Sequence, residues 1–309
     1  MSRARPVKAQ VSSYIYQSIR SLVSSPATDK LAREISSRLK AAGIKDAEKE
    51  ADELLCLSLN ISKSALYARD FSELTSDAAS ALKKLDSLTA RRLARQPLQY
   101  IAGEVEFFGL SLTVGTGVLI PRPETELLVE ILIGILSSKH KPNISVLDLC
   151  TGSGCIALTL AKQFPESIVH AVDISETALK YAAANAAAND IKNVTFYTGC
   201  LYEPVADMAF DVIISNPPYI KTADLELLDP EIRLYEPVEA LDGGTDGLHF
   251  YREIIAGAPG HLNEGGIMAF ELGDTLAHSV MEIARAAGFH NLTLKADYSR
   301  VERFLIIAR

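Results

Sequence analysis

From residue 29 to about residue 95, apolar side chains recur at helical spacing. Leu31, Ile35 and Leu39 stand one turn apart, and Ala51, Leu54, Leu55 and Leu59 mark a second helix. Ser62 or Ser64 offers a cap for another short helix, and Leu82, Leu85 and Leu88 predict one more across 76–93. The segment therefore reads as a small helical bundle. It holds no cluster of chemistry-bearing side chains, so its expected role is to position a partner.

The texture changes between residues 96 and 123. Residues 100–109 and 110–114 predict two short strands meeting at Gly109, a hairpin joining two domains. Pro121 and Pro123 then close the strand and prepare a helix from Glu124, whose apolar run over 127–136 reads as buried. From residue 145 the pattern alternates. Apolar runs at 146–149, 168–173, 194–197, 210–215 and 266–272 predict strands, interleaved with helices at 156–164, 176–188, 248–256 and 277–287, before two late strands. Such alternation predicts an α/β fold, a mostly parallel sheet with helices on both faces.

Composition narrows the function classes. At 309 residues, 48% hydrophobic and 23% charged, the chain is long enough for two globular domains. Its net charge of -8 argues against a broad nucleic-acid grip, because phosphate neutralisation needs clustered Lys and Arg. Cys56, Cys150, Cys155 and Cys200 form no C-x-x-C pair, which excludes a disulfide framework or a zinc site and predicts a reducing compartment with no metal. No apolar run approaches the roughly 20 residues that span a bilayer. Residues 1–28 carry Arg3, Arg5, Lys8 and Arg20 with several serines and no acid, a composition shared with organellar transit peptides. Pro6 and Pro26 bracket only a modest amphipathic segment, so the expectation is a simple extension of a cytoplasmic protein.

The first strand of the alternating region runs into Cys150-Thr151-Gly152-Ser153-Gly154, followed by Ala157. Gly152 and Gly154 let the backbone turn tightly and approach a ligand with no Cβ in the way. The next strand ends in Asp173, about 20 residues on, where a carboxylate can accept both hydroxyls of an adenosine ribose. This pattern fits an adenosine-containing cofactor and leaves NAD and S-adenosylmethionine both open.

The choice between them rests on residues 210–219, where an apolar strand delivers Asn216-Pro217-Pro218-Tyr219 into the crevice. Neither proline has an N–H, so the carbonyls of this turn remain free as acceptors. Tyr219 supplies a flat face for a planar group. A conjugated –NH2 is a poor nucleophile because its lone pair is delocalised. The Asn216 side-chain oxygen and the Pro217 carbonyl can hold its two N–H bonds and turn the lone pair toward a sulfonium methyl. An NAD-dependent oxidoreductase leaves Asn216 and its neighbours unexplained. In a non-enzymatic binding module, the helical domain would carry the function and the sheet would merely keep a cofactor.

Beyond these residues, the chain resembles the release-factor glutamine methyltransferases, also called the PrmC or HemK family. Asn216-Pro217-Pro218-Tyr219 alone is shared with amino-methylating DNA methyltransferases. More specific are Pro121-Arg122-Pro123-Glu124-Thr125-Glu126, Tyr235-Glu236-Pro237, the stretch from Leu241-Asp242-Gly243-Gly244 to Leu248, and Gln96-Pro97-Leu98-Gln99-Tyr100-Ile101 with Phe107-Phe108-Gly109. The similarity covers roughly residues 30–309.

The resemblance implies a Rossmann-like class I methyltransferase with a seven-stranded sheet behind a helical bundle. Its expected divisions are an extension (1–28), a helical substrate-recognition domain (29–95), a β-hairpin linker (96–120) and the catalytic domain (121–309). It implies methyl transfer from S-adenosylmethionine to the glutamine amide in the Gly-Gly-Gln tip of class 1 release factors, by a monomer with no membrane and no stable nucleic-acid complex. Cys150, Thr151, Gly152, Ser153, Gly154, Asp173, Cys200, Leu201 and Asn216 are the expected cofactor contacts. Asn216, Pro217, Pro218 and Tyr219 are the expected glutamine site, with Asn216, Pro217 and Tyr219 catalytic. Arg122, Glu124 and Thr125 are expected to cover the cofactor. Two positions depart from the family pattern. Cys150 stands where relatives carry glycine, a place a cysteine fits provided the turn needs no positive φ. Cys200 stands where an acid is usual near the adenine, which shifts that contact toward packing by Leu201. A ribosomal-protein glutamine methyltransferase and a DNA adenine methyltransferase are the sister readings, and the latter would need a recognition domain with a basic face.

Overall fold

The computed structural model describes residues 25–68, 78–139 and 143–309. The basic, Ser-rich composition considered for a transit peptide therefore falls largely outside the described residues. The chain forms two compact units, Met1–Ala102 and Gly103–Arg309.

The first unit is helical: α1 (Ser25–Ala41), α2 (Ala47–Leu59), α3 (Lys63–Ala68), α4 (Ala78–Leu93) and α5 (Leu98–Ala102). Helix α1 begins ahead of Asp29, where the first domain was expected to start. Ile35, Leu39, Leu54, Leu55, Leu85 and Leu88 meet in one buried cluster, as their spacing requires. Ser62 provides the expected cap, its hydroxyl accepting the Ala65 N–H at 3.1 Å. Arg92 grips Glu50 with two nitrogens, at 2.5 and 3.2 Å, and so ties α4 to α2 through a buried fork. Residues 98–102 are helical where a strand was expected to begin. Pro97 opens this turn by accepting the Ile101 N–H at 3.1 Å, Tyr100 and Ile101 are buried, and Gly103 at φ 85° ends it.

The second unit opens with the hairpin β1 (Glu104–Phe107) and β2 (Leu110–Thr113), paired antiparallel. Phe107, Leu110 and Leu112 are buried in the same apolar cluster as the large sheet, so the hairpin belongs to this unit's core. Then follow α6 (Pro123–Lys139), β3 (Ser145–Leu149), α7 (Cys155–Gln163), β4 (Ile168–Asp173), α8 (Glu176–Ala188), β5 (Val194–Thr198), β6 (Phe210–Ser215), α9 (Pro230–Tyr235), α10 (His249–His261), β7 (Leu262–Glu271), α11 (Ala277–Ala286), β8 (Asn291–Ala296) and β9 (Glu302–Ala308).

The seven-stranded sheet has the order β5-β4-β3-β6-β7-β9-β8, parallel except for β9, which runs antiparallel to both its neighbours. Its central strands are buried on both faces. Val146, Val212, Ile267 and Phe304 point into the cluster shared with α6 and α7, while Leu147, Ile213, Met268 and Leu305 point into that shared with α10 and α11. The strand order reverses between β3 and β6. Ligands of such sheets bind beyond the carboxyl ends at that reversal.

Candidate active site

A cleft of about 490 Å³ opens at the reversal point, beyond the ends of β3, β4 and β6. Its first wall is the turn leaving β3. Cys150, Gly152 and Gly154 all take positive φ, at 60°, 57° and 82°. Cys150 therefore occupies a left-handed position, so the condition under which a cysteine would fit there without strain is not met. The turn is held from below. The Thr151 N–H donates to the Val172 carbonyl at 3.1 Å, and the Thr151 hydroxyl donates to Asp148 at 2.6 Å.

Asp148 was missed in the sequence, and its only signal is a carboxylate inside an apolar strand. It is fully buried and accepts a second bond from the Ala157 N–H at 3.1 Å with the same oxygen. Its other oxygen has no partner among the described residues. Burial pushes its pKa up to about 7.

Asp173 ends β4 and faces the turn. One of its oxygens accepts the Gly152 N–H at 2.8 Å and the other the Ser175 N–H at 2.9 Å. A carboxylate oxygen can accept more than one bond, so both retain capacity for the vicinal hydroxyls of a ribose. Burial raises its pKa, and the two backbone donors oppose that rise. Cys150, Thr151, Gly152, Ser153, Asp173, Cys200, Leu201, Asn216, Pro218, Arg122 and Thr125 all line the cleft. Cys200 is exposed, whereas Leu201 is half-buried and carries apolar surface into the space. Gly154 and Glu124 are not on the wall. Gly154 instead caps α7, where a Cβ would come within 3.1 Å of Ala182.

The second wall is the turn leaving β6. Pro217 and Tyr219 face a smaller neighbouring cavity of about 120 Å³, and Asn216 and Arg122 border both spaces. The Tyr219 backbone is clasped by residues 241–248. The Ile220 N–H donates to the Leu241 carbonyl at 2.9 Å, and the Gly243 N–H returns to Ile220 at 2.7 Å. A Cβ on Gly243 would fall 2.7 Å from the Tyr219 Cα, and one on Gly247 2.5 Å from the Tyr219 oxygen. This close approach is the physical reason for glycines in that stretch.

Two buried carboxylates support this wall: Glu236, quoted above only within a family motif, and Glu271, which the sequence did not single out. Glu236 accepts from Arg122 with both oxygens, at 2.7 and 2.9 Å, so the Pro-Arg-Pro and Tyr-Glu-Pro segments are joined by a half-buried ion pair. Glu271 ends β7 and accepts the Thr125 hydroxyl at 2.6 Å. Thr125 in turn accepts an N–H of the Asn216 amide at 3.2 Å. Burial pushes Glu271 up to about 7, opposed by the Thr125 bond and by the charges of Arg303 and Arg122.

Residues 30–103 match the PrmC N-terminal domain, and residues 124–228 the methyltransferase small domain. The release factor glutamine methyltransferase of Thermodesulfovibrio yellowstonii is 44% identical over 261 residues, spanning 84% of this chain and 92% of that one. That of Geobacter sulfurreducens is 42% identical over 266 residues, spanning 86% and 90%. The chain belongs to the release factor glutamine methyltransferase family. Among solved structures, the catalytic domain of hMettl16 in complex with an RNA hairpin superposes with a TM-score of 0.51 at 19% identity, over 76% of this chain and 83% of that one, a likeness of fold. Neither the ribosomal-protein nor the DNA-adenine reading is favoured by relatives with these names. Among the described residues no group of His, Cys, Asp and Glu could hold a metal, and no helix is long and apolar enough to cross a membrane.

Proposed function

We propose that the turn from Cys150 to Ser153, with Asp173, Cys200 and Leu201, holds S-adenosylmethionine, and that Asn216, Pro217, Pro218 and Tyr219 receive a glutamine side chain. The chain is an S-adenosylmethionine-dependent protein-glutamine methyltransferase acting on release factors, as its family membership states. The observation that carries the residue assignment is the position of Asn216 on the border of the large cleft and the small cavity. A group held there can face both methyl donor and methyl acceptor.

The cleft fits the cofactor. It offers left-handed backbone without side chains at Gly152, a carboxylate with spare acceptor capacity at Asp173, and apolar packing from Leu201 and Val172. Bound S-adenosylmethionine supplies a methyl group made electrophilic by its sulfonium. The residues of the chain then do the rest. The Asn216 oxygen and the Pro217 carbonyl accept the two amide N–H bonds, Tyr219 packs on the planar carboxamide, and the narrow cavity limits water. No strong base is required, because the proton leaves after transfer. We assign residues 29–95 to substrate recognition and 121–309 to catalysis, with 96–120 as the connection between them, whose hairpin packs in the core of the second unit. We assign the enzyme a monomeric state and a cytoplasmic location, readings that a release-factor substrate is compatible with.

The test is transfer of labelled methyl from S-adenosylmethionine to a purified release factor, beside a Gln→Ala variant of its Gly-Gly-Gln tip. Label on the wild-type factor alone is expected. In the enzyme, Asn216→Ala should lower kcat on the order of 10²–10³-fold while cofactor still binds. Equal labelling of both factors, or full activity of Asn216→Ala, would overturn the assignment.

A further inference from the structure

We propose that Thr125 and Glu271 are positioning residues that set the orientation of the Asn216 amide, so that the site accepts an N–H donor and refuses a carboxylate. This rests on the reading of Asn216 as the acceptor of the substrate amide.

The sheet register brings the parts together. Ser215 pairs with Phe270 across the parallel strands β6 and β7, so Asn216 and Glu271 follow side by side at the carboxyl ends. Thr125, in the first turn of α6, stands between them. The three form a chain with one direction. The Thr125 hydroxyl has a single proton and donates it to Glu271 at 2.6 Å, leaving its lone pairs for the Asn216 amide nitrogen at 3.2 Å. With Glu271 ionised, the reverse order would require Thr125 to donate to the Asn216 oxygen and so turn a lone pair toward the Glu271 carboxylate. In a buried setting, where Thr125 is 2% and Glu271 1% exposed, such a mismatch is expensive. The end of the chain is itself fixed, because the Glu271 backbone carbonyl accepts the Tyr251 hydroxyl at 2.8 Å.

Chemical selection follows. With an N–H committed inward to Thr125, Asn216 turns its oxygen toward the acceptor. Pro217 and Pro218 contribute carbonyls and no N–H. The turn is therefore a set of acceptors, matched to a carboxamide –NH2 and repelling a glutamate or other anion. A free Asn216 could rotate and present its own –NH2, which would oppose the substrate amide donor to donor. Thr125 thus acts behind Asn216, a role distinct from the cofactor cover expected of it.

The experiment compares wild type with Thr125→Val, Thr125→Ala and Thr125→Ser, measuring kcat and KM with a release factor and cofactor Kd by titration. Valine keeps the shape without the hydroxyl, and the Ala and Ser variants differ only in that hydroxyl, so the second pair decides the matter if valine disturbs folding. The expected result is a kcat loss on the order of 10- to 100-fold for Val and Ala, recovery of most of it by Ser, and cofactor Kd changed by less than about twofold. An undiminished kcat in Val and Ala, or a Ser variant as impaired as Ala, would overturn the relay. A loss confined to cofactor Kd would return Thr125 to the cofactor wall. A wild-type enzyme that binds cofactor yet methylates no release factor would sink the reading of Asn216 itself, and the relay with it.

Discussion

Between residues 150 and 154 the cofactor wall is made of backbone, whereas the acceptor wall is made of side chains drawn from across the second unit. The first wall comes from one strand-to-helix turn with three left-handed residues, and one carboxylate, Asp173, ties it to the next strand. The second joins Thr125 to Asn216 across 91 positions and to Glu271 across 146, with Arg122 braced on Glu236 across 114. The backbone wall depends on conformation and tolerates changes of side chain. The side-chain wall depends on hydrogen-bond identity and tolerates little chemistry of another kind.

The largest effect that separates the two walls is expected at Asp173. Asp173→Ala removes the acceptor of the Gly152 and Ser175 N–H groups together with the proposed ribose contact. Loss of charged hydrogen bonds of this kind is worth about 2–3 kcal/mol, or roughly 30- to 150-fold in cofactor Kd. Isothermal titration should show that loss, while kcat at saturating cofactor falls far less. A kcat that falls in step with affinity would mean the walls do not act separately.

The same contrast explains what could be read before the structure. Continuous apolar runs such as residues 146–149 and 210–215, alternating with helical segments, made the sheet legible, because parallel strands buried on both faces read as such runs. The glycine turn and Asn216-Pro217-Pro218-Tyr219 were legible because each is a contiguous run whose chemistry is local. Asp148 and Glu271 were not, and Glu236 was read only within a family motif, with no role of its own. A carboxylate within an apolar run signals a buried charge but not its partners: those of Asp148 are local and that of Glu271 lies 146 positions away, and only the fold selects them. The helix at residues 98–102 was misread for a related reason: a short apolar run carries no period long enough to distinguish helix from strand.

The two buried carboxylates offer a comparison of intermediate size. Asp148 props the cofactor wall and Glu271 the acceptor wall, and burial pushes both up to about 7. A carboxylate whose folded pKa is raised favours the folded state when protonated. That contribution is complete below the ordinary unfolded value near 4 and is lost as pH rises through about 7. Replacing either group with its neutral amide should therefore benefit stability more at pH 8 than at pH 5, by a difference on the order of 2 kcal/mol. The two variants should show differences of similar size, because burial carries both groups to about 7. Thermal unfolding of each variant beside wild type at the two pH values checks both the sign and the size. Variants that gain more at pH 5 would show that the folded enzyme holds these groups ionised.

The smallest effect tests the backbone wall alone. Cys150 sits at φ 60°, a conformation that an L-residue with a Cβ pays for by about 1 kcal/mol and glycine adopts freely. Its thiol is held neutral, since burial and the nearby charges of Asp173 and Asp148 raise its pKa. Cys150→Gly should therefore relieve the strain and raise stability by about 1 kcal/mol, less the extra freedom glycine gains in the unfolded chain. Cys150→Ala keeps the Cβ and should gain nothing, so the pair isolates the turn from the thiol. At saturating S-adenosylmethionine kcat on a release factor should hold in both, because the acceptor wall is untouched, while cofactor Kd reports the change in the turn. If both variants instead unfold at a lower temperature than wild type, packing of the cysteine side chain outweighs the left-handed turn, and this wall too depends on side-chain identity.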